Sequence, residues 1–365
     1  MKPLQTFRSA RARSAALSFA VLIAGGCGQQ EGENFSSNLQ VPPKPGDGYG
    51  LVRTIDDRHV IGHISVGGNF VFFEIPWQGL YQMPKYGGNV TAVDRDTKAE
   101  FFGVVASGSE LLWLKSHFDS NDYADELLLR RPTEGGPTAV LRHGALDTVR
   151  INTLNGLSAD ANHVYMLTES SIDVTPIAGG KTEQVSVSVF PPGPGFAGDY
   201  PIVYFTTCEA DPSTCVLKRA DLSAGTSQVV ASLPADAQII GLDADAVYLL
   251  DGSRLWSIAR ADGSETELLG AASGVHPRLP AVLDGQSLYF MGTDPGAQTL
   301  PAMRLMTIPK AGGALAILGS DSRINQYIPW DLVVDDEFAF VLTSPTLSDS
   351  GNEILAFPKT PLPAP

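Results

Sequence analysis

The side chains able to do chemistry are few and scattered along this chain. Six histidines stand at positions 59, 63, 117, 143, 163 and 276. None occurs in HExxH or another metal-ligand spacing. His59 and His63 are four apart, and on a strand that spacing puts both on one face. They would share a ligand there, or simply lie on a polar face near a rim. No Gly-x-Ser-x-Gly elbow, Walker loop or Gly-x-Gly-x-x-Gly stretch is present, so neither a nucleophile elbow nor a phosphate cradle is indicated. Asp-rich triplets recur at 160–162, 243–245, 284–286 and 335–337. They lack the alternating ligands of an EF-hand, and Asp and Asn cap nearby backbone groups, so turn formation is their first role. The residue types assign no cofactor and no catalytic residue, and leave a metal undetermined.

The thiols are more informative. Cys208 and Cys215 flank the polar hexapeptide EADPST, with an apolar run before it and Val216-Leu217 after it. That spacing suits the tip of a β-hairpin closed by a disulfide in an oxidising compartment. Metal binding competes, but no His or further Cys stands near at ligand spacing. Cys27 is the third thiol. Before it come a basic start (Lys2, Arg8, Arg11, Arg13), an apolar run at 15–24, and Gly25-Gly26. Basic start, apolar middle and small-residue end is the order of a secretory signal. The run is well short of the roughly 20 residues a spanning helix needs.

The stretch LIAGGC at 22–27 resembles a bacterial lipobox, in which the thiol is diacylated and the chain is cut just before it. The position three before the thiol, usually Leu, is Ala24 here. The expectation is a signal peptide over 1–26 and lipidation at Cys27; plain secretion with Cys27 left free and an uncleaved anchor are the alternatives. Acyl chains contribute roughly 0.8 kcal/mol per buried methylene, enough for several to hold a soluble body on a bilayer. Gly28 follows the thiol, where the resemblance to Gram-negative lipoproteins implies the outer-membrane default rather than inner-membrane retention. Residues 27–49 are polar and rich in Gly, Pro, Ser and Asn. Such a segment buries too little apolar surface to offset its ordering entropy and reads as a flexible tether.

Formal net charge is −15, and loss of the leader, with four basic residues and no acid, deepens it to about −19. Such a surface repels phosphate backbones, which excludes nucleic acid as a natural partner. Its plainest effect is solubility.

The elements that must position these residues are legible as a repeat. Apolar, aromatic-bearing pentads or tetrads recur at 69–73, 110–114, 163–167, 201–205, 246–250, 287–290 and 338–341. Seven units at a period of roughly 40 to 50 residues is the pattern of propeller blades. A second motif follows each: MPKYGG, RPTEGG, TPIAGG and IPKAGG, with IARADG and LKRADLSAG as degenerate copies and FPK cut short near the C-terminus. Gly-Gly supplies a tight strand connection, and Pro, lacking a ladder donor, stands at a strand end. The Asp triplets lie between a short apolar strand and the aromatic one. Each blade therefore reads as inner strand, Asp turn, aromatic strand, hairpin loop, Pro-ended strand, Gly-Gly turn, outer strand.

The Tyr-bearing strand followed by Pro-x-x-Gly-Gly resembles the propellers of bacterial exported lipoproteins and, more distantly, TolB-like and YWTD-type propellers, over about residues 50–360. The YWTD tetrad itself is absent, as is the Trp docking motif of outer-membrane assembly propellers. The expectation is an all-β chain: one propeller of seven four-stranded blades over 50–360, with six or eight as alternatives, and a tail at 361–365. Residues 50–53 or 60–65 would supply the last blade's outer strand and close the ring, removing a free edge. Longer hairpin loops at 116–125, 293–302 and 344–352 would share one face, where exposed loops on a rigid scaffold carry binding or are neutral insertions.

Fold does not fix function here. Two readings stand. One is an envelope lipoprotein, monomeric and membrane-held through its lipid, whose propeller face binds a protein or small molecule. The other is a propeller enzyme, a metal-assisted lyase or hydrolase acting on an envelope or exported substrate. The second needs His and carboxylates to converge at the ring axis. His276, ahead of Pro277 near the sixth inner strand, is the histidine placed to face it.

Overall fold

A computed structural model describes residues 35–37, 49–54, 61–118, 124–143, 156–167, 171–186, 192–208, 215–293, 303–319, 324, 327–345 and 352–359. Cys27, His59 and the C-terminal tail lie outside the described residues. Each repeat unit forms the second strand of an antiparallel sheet, and seven such sheets succeed one another along the chain. The chain is an all-β, seven-bladed propeller of four-stranded blades. The inner strands are Ile64–Gly67, Ala99–Ser107, Leu157–Ala159, Pro192–Asp199, Gln238–Leu242, His276–Leu283 and Tyr327–Val334. The second strands are Phe70–Ile75, Glu110–Phe118, His163–Leu167, Ile202–Cys208, Ala246–Leu250, Ser287–Thr293 and Phe338–Pro345.

The second strands are apolar on both faces because each face serves a different blade junction. Val71 and Phe73 pack with Phe340 and Leu342 of blade 7, whereas Phe72 packs with Leu111 and Trp113 of blade 2. Successive side chains of a strand point to opposite faces, so one strand feeds two clusters. Seven clusters result, one wedged at each junction. Fully burying a large apolar side chain contributes roughly 1.5–3 kcal/mol. The wedges are thus the main cohesive force.

Closure uses the first of the two N-terminal options. Tyr49–Thr54 pairs with the third strand of blade 7, Glu353–Pro358. Phe35–Ser37 then pairs with Tyr49–Thr54 as a fifth strand. Those three residues belong to the segment read as a tether, so that much of it is paired to the ring. Cys208 and Cys215 are opposite each other at the end of the blade 4 hairpin and are disulfide-bonded.

Repeat chemistry sets the ring's two faces. The Asp turns join first to second strands at one face. Asp243 accepts hydrogen bonds at Oδ1 from the backbone N–H of Asp245 and Ala246, and Asp284 does the same for Gln286 and Ser287. The expected turn role is therefore met. The opposite face carries the hairpins between second and third strands, and with them the starts of the inner strands, since His276 pairs with Thr293 and Ala99 with His117.

Candidate functional site: an axial cavity between inner strands

The inner strands of four blades meet around a cavity of about 90 Å³, lined by His63, Ile64, Gly103, Val104, Gly156, Leu157 and Asp331: the starts of the strands in blades 1 and 3, and the middles of those in blades 2 and 7. These residues come from blades 7, 1, 2 and 3. Ring closure is what makes the site, because Asp331 is 267 positions from Ile64, whose backbone N–H it accepts at 3.0 Å. The same carboxylate oxygen lies 3.6 Å from His63 Nδ1. The Leu332 N–H donates to its partner oxygen at 2.8 Å.

Behind the lining sits Glu74, in the second strand of blade 1 and 2 % exposed. It accepts a hydrogen bond from the Gly103 backbone N–H. A Cβ on Gly62 would fall 2.6 Å from Glu74 Oε1, so only glycine lets the chain pass this carboxylate. The Gly62 and Glu74 backbones lock the register, Gly62 N–H to Glu74 O at 3.0 Å and Glu74 N–H to His63 O at 3.2 Å. Gly103 occupies a bulge where the blade 2 inner strand shifts register, at φ +80°. That is the left-handed region that L-residues avoid.

The charges perturb one another. Burial would push the His63 imidazolium down, but the pairing with Asp331 and the negative charges of Glu74 and Asp331 outweigh it and hold the group up at about 9. Burial pushes the Glu74 carboxyl up to about 7, against the opposing pull of His63 and the Gly103 N–H. Burial also raises Glu100, on the blade 2 inner strand. At neutral pH His63 is therefore a cation among carboxylates, a donor rather than a free base.

Two exposed indoles lie in the blades that supply this site. Trp330 is the extra residue where the blade 7 inner strand shifts register, immediately before Asp331, and is 48 % exposed. Trp77, in the hairpin after Ile75, is 47 % exposed with φ +64°. A bulky residue at positive φ is strained, and such strain collects at functional sites.

The histidine expectations divide. His276 begins the blade 6 inner strand but is exposed and does not line the cavity. The axial histidine is His63, because closure against blade 7 decides which inner strand meets a carboxylate. The partners of His63 were not singled out from the sequence. Glu74 had a signal: it is an acid inside the otherwise apolar FVFFEI. Among the described residues, no three His, Cys, Asp or Glu side chains are grouped to hold a metal. No helix among them is long and apolar enough to cross a membrane.

The far face carries a second constellation. The residue after the repeat's Pro position reaches back to the preceding blade. Lys310 binds Asp243 at 2.6 Å, Lys85 binds Asp335 at 3.2 Å, Lys359 binds Asp284, and Arg260 binds Asp199 at 2.9 Å. Tyr248 and Tyr289 donate their hydroxyls to Asp243 and Asp284, each at 2.8 Å. These latches hold junctions 4–5, 5–6, 6–7 and 7–1. At the other three, the position holds Thr133, Ile177 or Leu222.

No known family matches the sequence, and no curated protein does. Solved structures do match. The β-propeller domain of the Trilobed protease from Pyrococcus furiosus overlays at TM-score 0.57 and 10% identity, over 84% of this chain and 99% of that one. The likeness is one of fold. That domain is described as having an open velcro topology, whereas here an N-terminal strand closes the ring. A puromycin hydrolase mutant complexed with PGG overlays at 0.53 and 12% identity, over 81% of this chain and 51% of the hydrolase. The chain thus spans about half the hydrolase's length. TolB from Acinetobacter baumannii, also a β-propeller, overlays at 0.37 and 11% identity, over 84% of this chain and 65% of TolB.

Proposed function

We propose that this protein is an envelope lipoprotein, anchored through Cys27, whose propeller binds a protein partner on the face that carries the hairpins between second and third strands. One observation carries the binding reading. Half-exposed Trp330 immediately precedes Asp331 of the His63–Asp331 pair, and strained, half-exposed Trp77 lies in a hairpin between second and third strands. Aromatic anchors beside a polar spot are what interfaces use. The size of the axial cavity supports a macromolecular partner. About 90 Å³ holds roughly three waters at ~30 Å³ each, far below the roughly 300–1,000 Å³ of small-molecule sites. A macromolecule covering the face fits; an enclosed substrate does not.

The test is photo-cross-linking in intact cells from benzophenone side chains placed at Trp330 and Trp77, with Gly179 on the opposite face as control. Adducts from the first two positions and none from the third are expected. Equal adducts from all three, or none, would overturn the reading. The anchor is tested separately: Cys27→Ser should move the protein from the membrane to the soluble fraction.

The enzyme reading keeps one supporting feature, an imidazole oriented by a carboxylate at the axis. A cationic His63 would serve it as a general acid. Loss of turnover in His63→Gln on an envelope polysaccharide would favour it.

A further inference from the structure

The outer strand of each blade ends its sheet, and most of these edges are blunted. Those of blades 1, 2, 3 and 5 carry charge: Asp94 and Arg95, Arg142, Glu183, and Glu265 with Glu267. That of blade 6, Ala316–Gly319, is only four residues long. That of blade 7, Tyr49–Thr54, is covered by Phe35–Ser37. Blade 4 is the exception. Its outer strand, Thr226–Leu233, runs for eight residues, TSQVVASL, with no charge and no proline. Thr226, Ser227, Gln228, Val229 and Ser232 are exposed. Val229, at 58 %, is the most exposed large apolar side chain among the described residues. A groove of about 670 Å³ lies between its first residues and the outer strand of blade 3, so the neighbouring blade does not close over that end. A long, uncharged, exposed edge is a template for pairing with another strand.

We propose that Thr226–Leu233 pairs antiparallel with the same strand of a second copy of this chain, giving a twofold dimer. This surface is separate from the hairpin face, and the dimer departs from the monomer expected from the sequence. The ring itself shows that a blade of this chain takes a fifth strand, because Phe35–Ser37 adds antiparallel to Val52–Thr54. The blade 4 strand is bulged at Val230, and a bulge can turn an edge away. It does not prevent addition here. The blade 7 outer strand is bulged at the matching Leu51 and still carries its fifth strand. Electrostatics favours a second copy as the occupant. An isologous contact sets a strand against itself, so a charged edge meets its own sign. Blade 5 would bring Glu265 and Glu267 against their copies, and like charges opposite one another are destabilising. TSQVVASL brings only hydroxyl, amide and apolar side chains together. Using each edge once also closes the assembly at two copies.

The test is sedimentation equilibrium of the full chain in density-matched detergent, where a monomer–dimer equilibrium is expected. Salt should tighten it. Each copy carries −15, and raising salt from about 0.1 to about 1 M shortens the Debye length from about 10 to about 3 Å, which screens the repulsion. Val229→Lys should weaken the dimer about tenfold, since the change falls on both copies. Val140→Lys, similarly exposed at 53 % but on the charged blade 2 edge, should leave it unchanged. Backbone amides within 226–233 should exchange more slowly in the dimer, and those of Thr91–Arg95 at an unchanged rate. Ser232→Lys, at a second exposed position, repeats the test if Val229→Lys does not fold. A monomer at every concentration, a dimer that survives Val229→Lys, equal loss in Val140→Lys, or a dimer that salt dissociates overturns the proposal. Benzophenone at Ser232 in intact cells should capture a second copy, and capture of a different protein in its place overturns the choice of occupant. The hairpin-face reading is decided separately, by the adducts at Trp330 and Trp77.

Discussion

Replacing Glu74 by the residue its repeat prefers isolates the cost of burying its charge. In the folded chain its carboxyl is held at about 7 against an ordinary 4.5. Each tenfold change in proton affinity is worth about 1.4 kcal/mol, so ionised Glu74 disfavours the fold by about 3 kcal/mol. The sign follows from proton uptake. The raised value means that the folded state binds the proton more tightly, so stability is lost as pH rises from 4.5 through 7. Glu74→Leu removes that loss and keeps an apolar side chain where Leu114, Leu167, Leu250 and Leu342 stand in other blades. Against it, the Gly103 N–H loses its acceptor, at a cost of about 1–3 kcal/mol. The expected result is near-neutral stability at pH 5 and stabilisation of about 2 kcal/mol at pH 8, measured by urea unfolding. A mutational effect that does not change between pH 5 and pH 8 would refute the argument. So would net destabilisation at pH 8.

Further outcomes can be checked by standard measurements. His63 should titrate near 9 by NMR and fall toward 6.5 in Asp331→Asn; its stabilising contribution is complete below pH 6.5 and fades as pH rises through 9. Asp243 and Asp284 are held at about 2 because their Lys310 and Lys359 partners and local N–H donors outweigh burial. Stability from both latches should persist above pH 4 and be lost as pH falls through 2, about 1 kcal/mol each after solvent screening. Lys310→Met should lower urea-unfolding stability by about 1 kcal/mol, whereas Lys98→Met, at an exposed turn, should leave it unchanged. Cys208→Ser with Cys215→Ser should leave the ring's circular dichroism intact, since the hairpin keeps its ladder register, while a shift to a non-propeller spectrum would contradict that.

What could be read in advance was whatever is encoded within one blade. The aromatic strands, Asp turns and Pro-x-x-Gly-Gly connections each lie within about 40 residues, and turn chemistry and strand period act at that range. Cys208 and Cys215 face each other across a single hairpin, so their spacing alone announced the bond. Both closure options, residues 50–53 and 60–65, were visible as stretches ahead of the first blade, and the ladder between Tyr49–Thr54 and Glu353–Pro358 chose the first. The latches were half visible. The Lys of Pro-Lys was part of the motif, but its acceptor lies 67 residues away for Lys310 and 250 for Lys85.

The axial site was not readable in that way. His63 stood in the sequence as a polar-face residue, and Asp331 was not singled out. Their meeting depends on blade 7 closing against blade 1, which needs Tyr49–Thr54 paired to the C-terminal strand. The sequence by itself pointed to seven blades, with six or eight as alternatives, to their turns and to the hairpin bond. Tertiary structure alone decided which inner strands meet at the axis, that His63 rather than His276 sits there, and that Glu74 is buried behind it. The physical reason is range. Backbone hydrogen bonding and turn geometry are local, whereas the field around a buried charge is set by every strand that ring closure brings within reach.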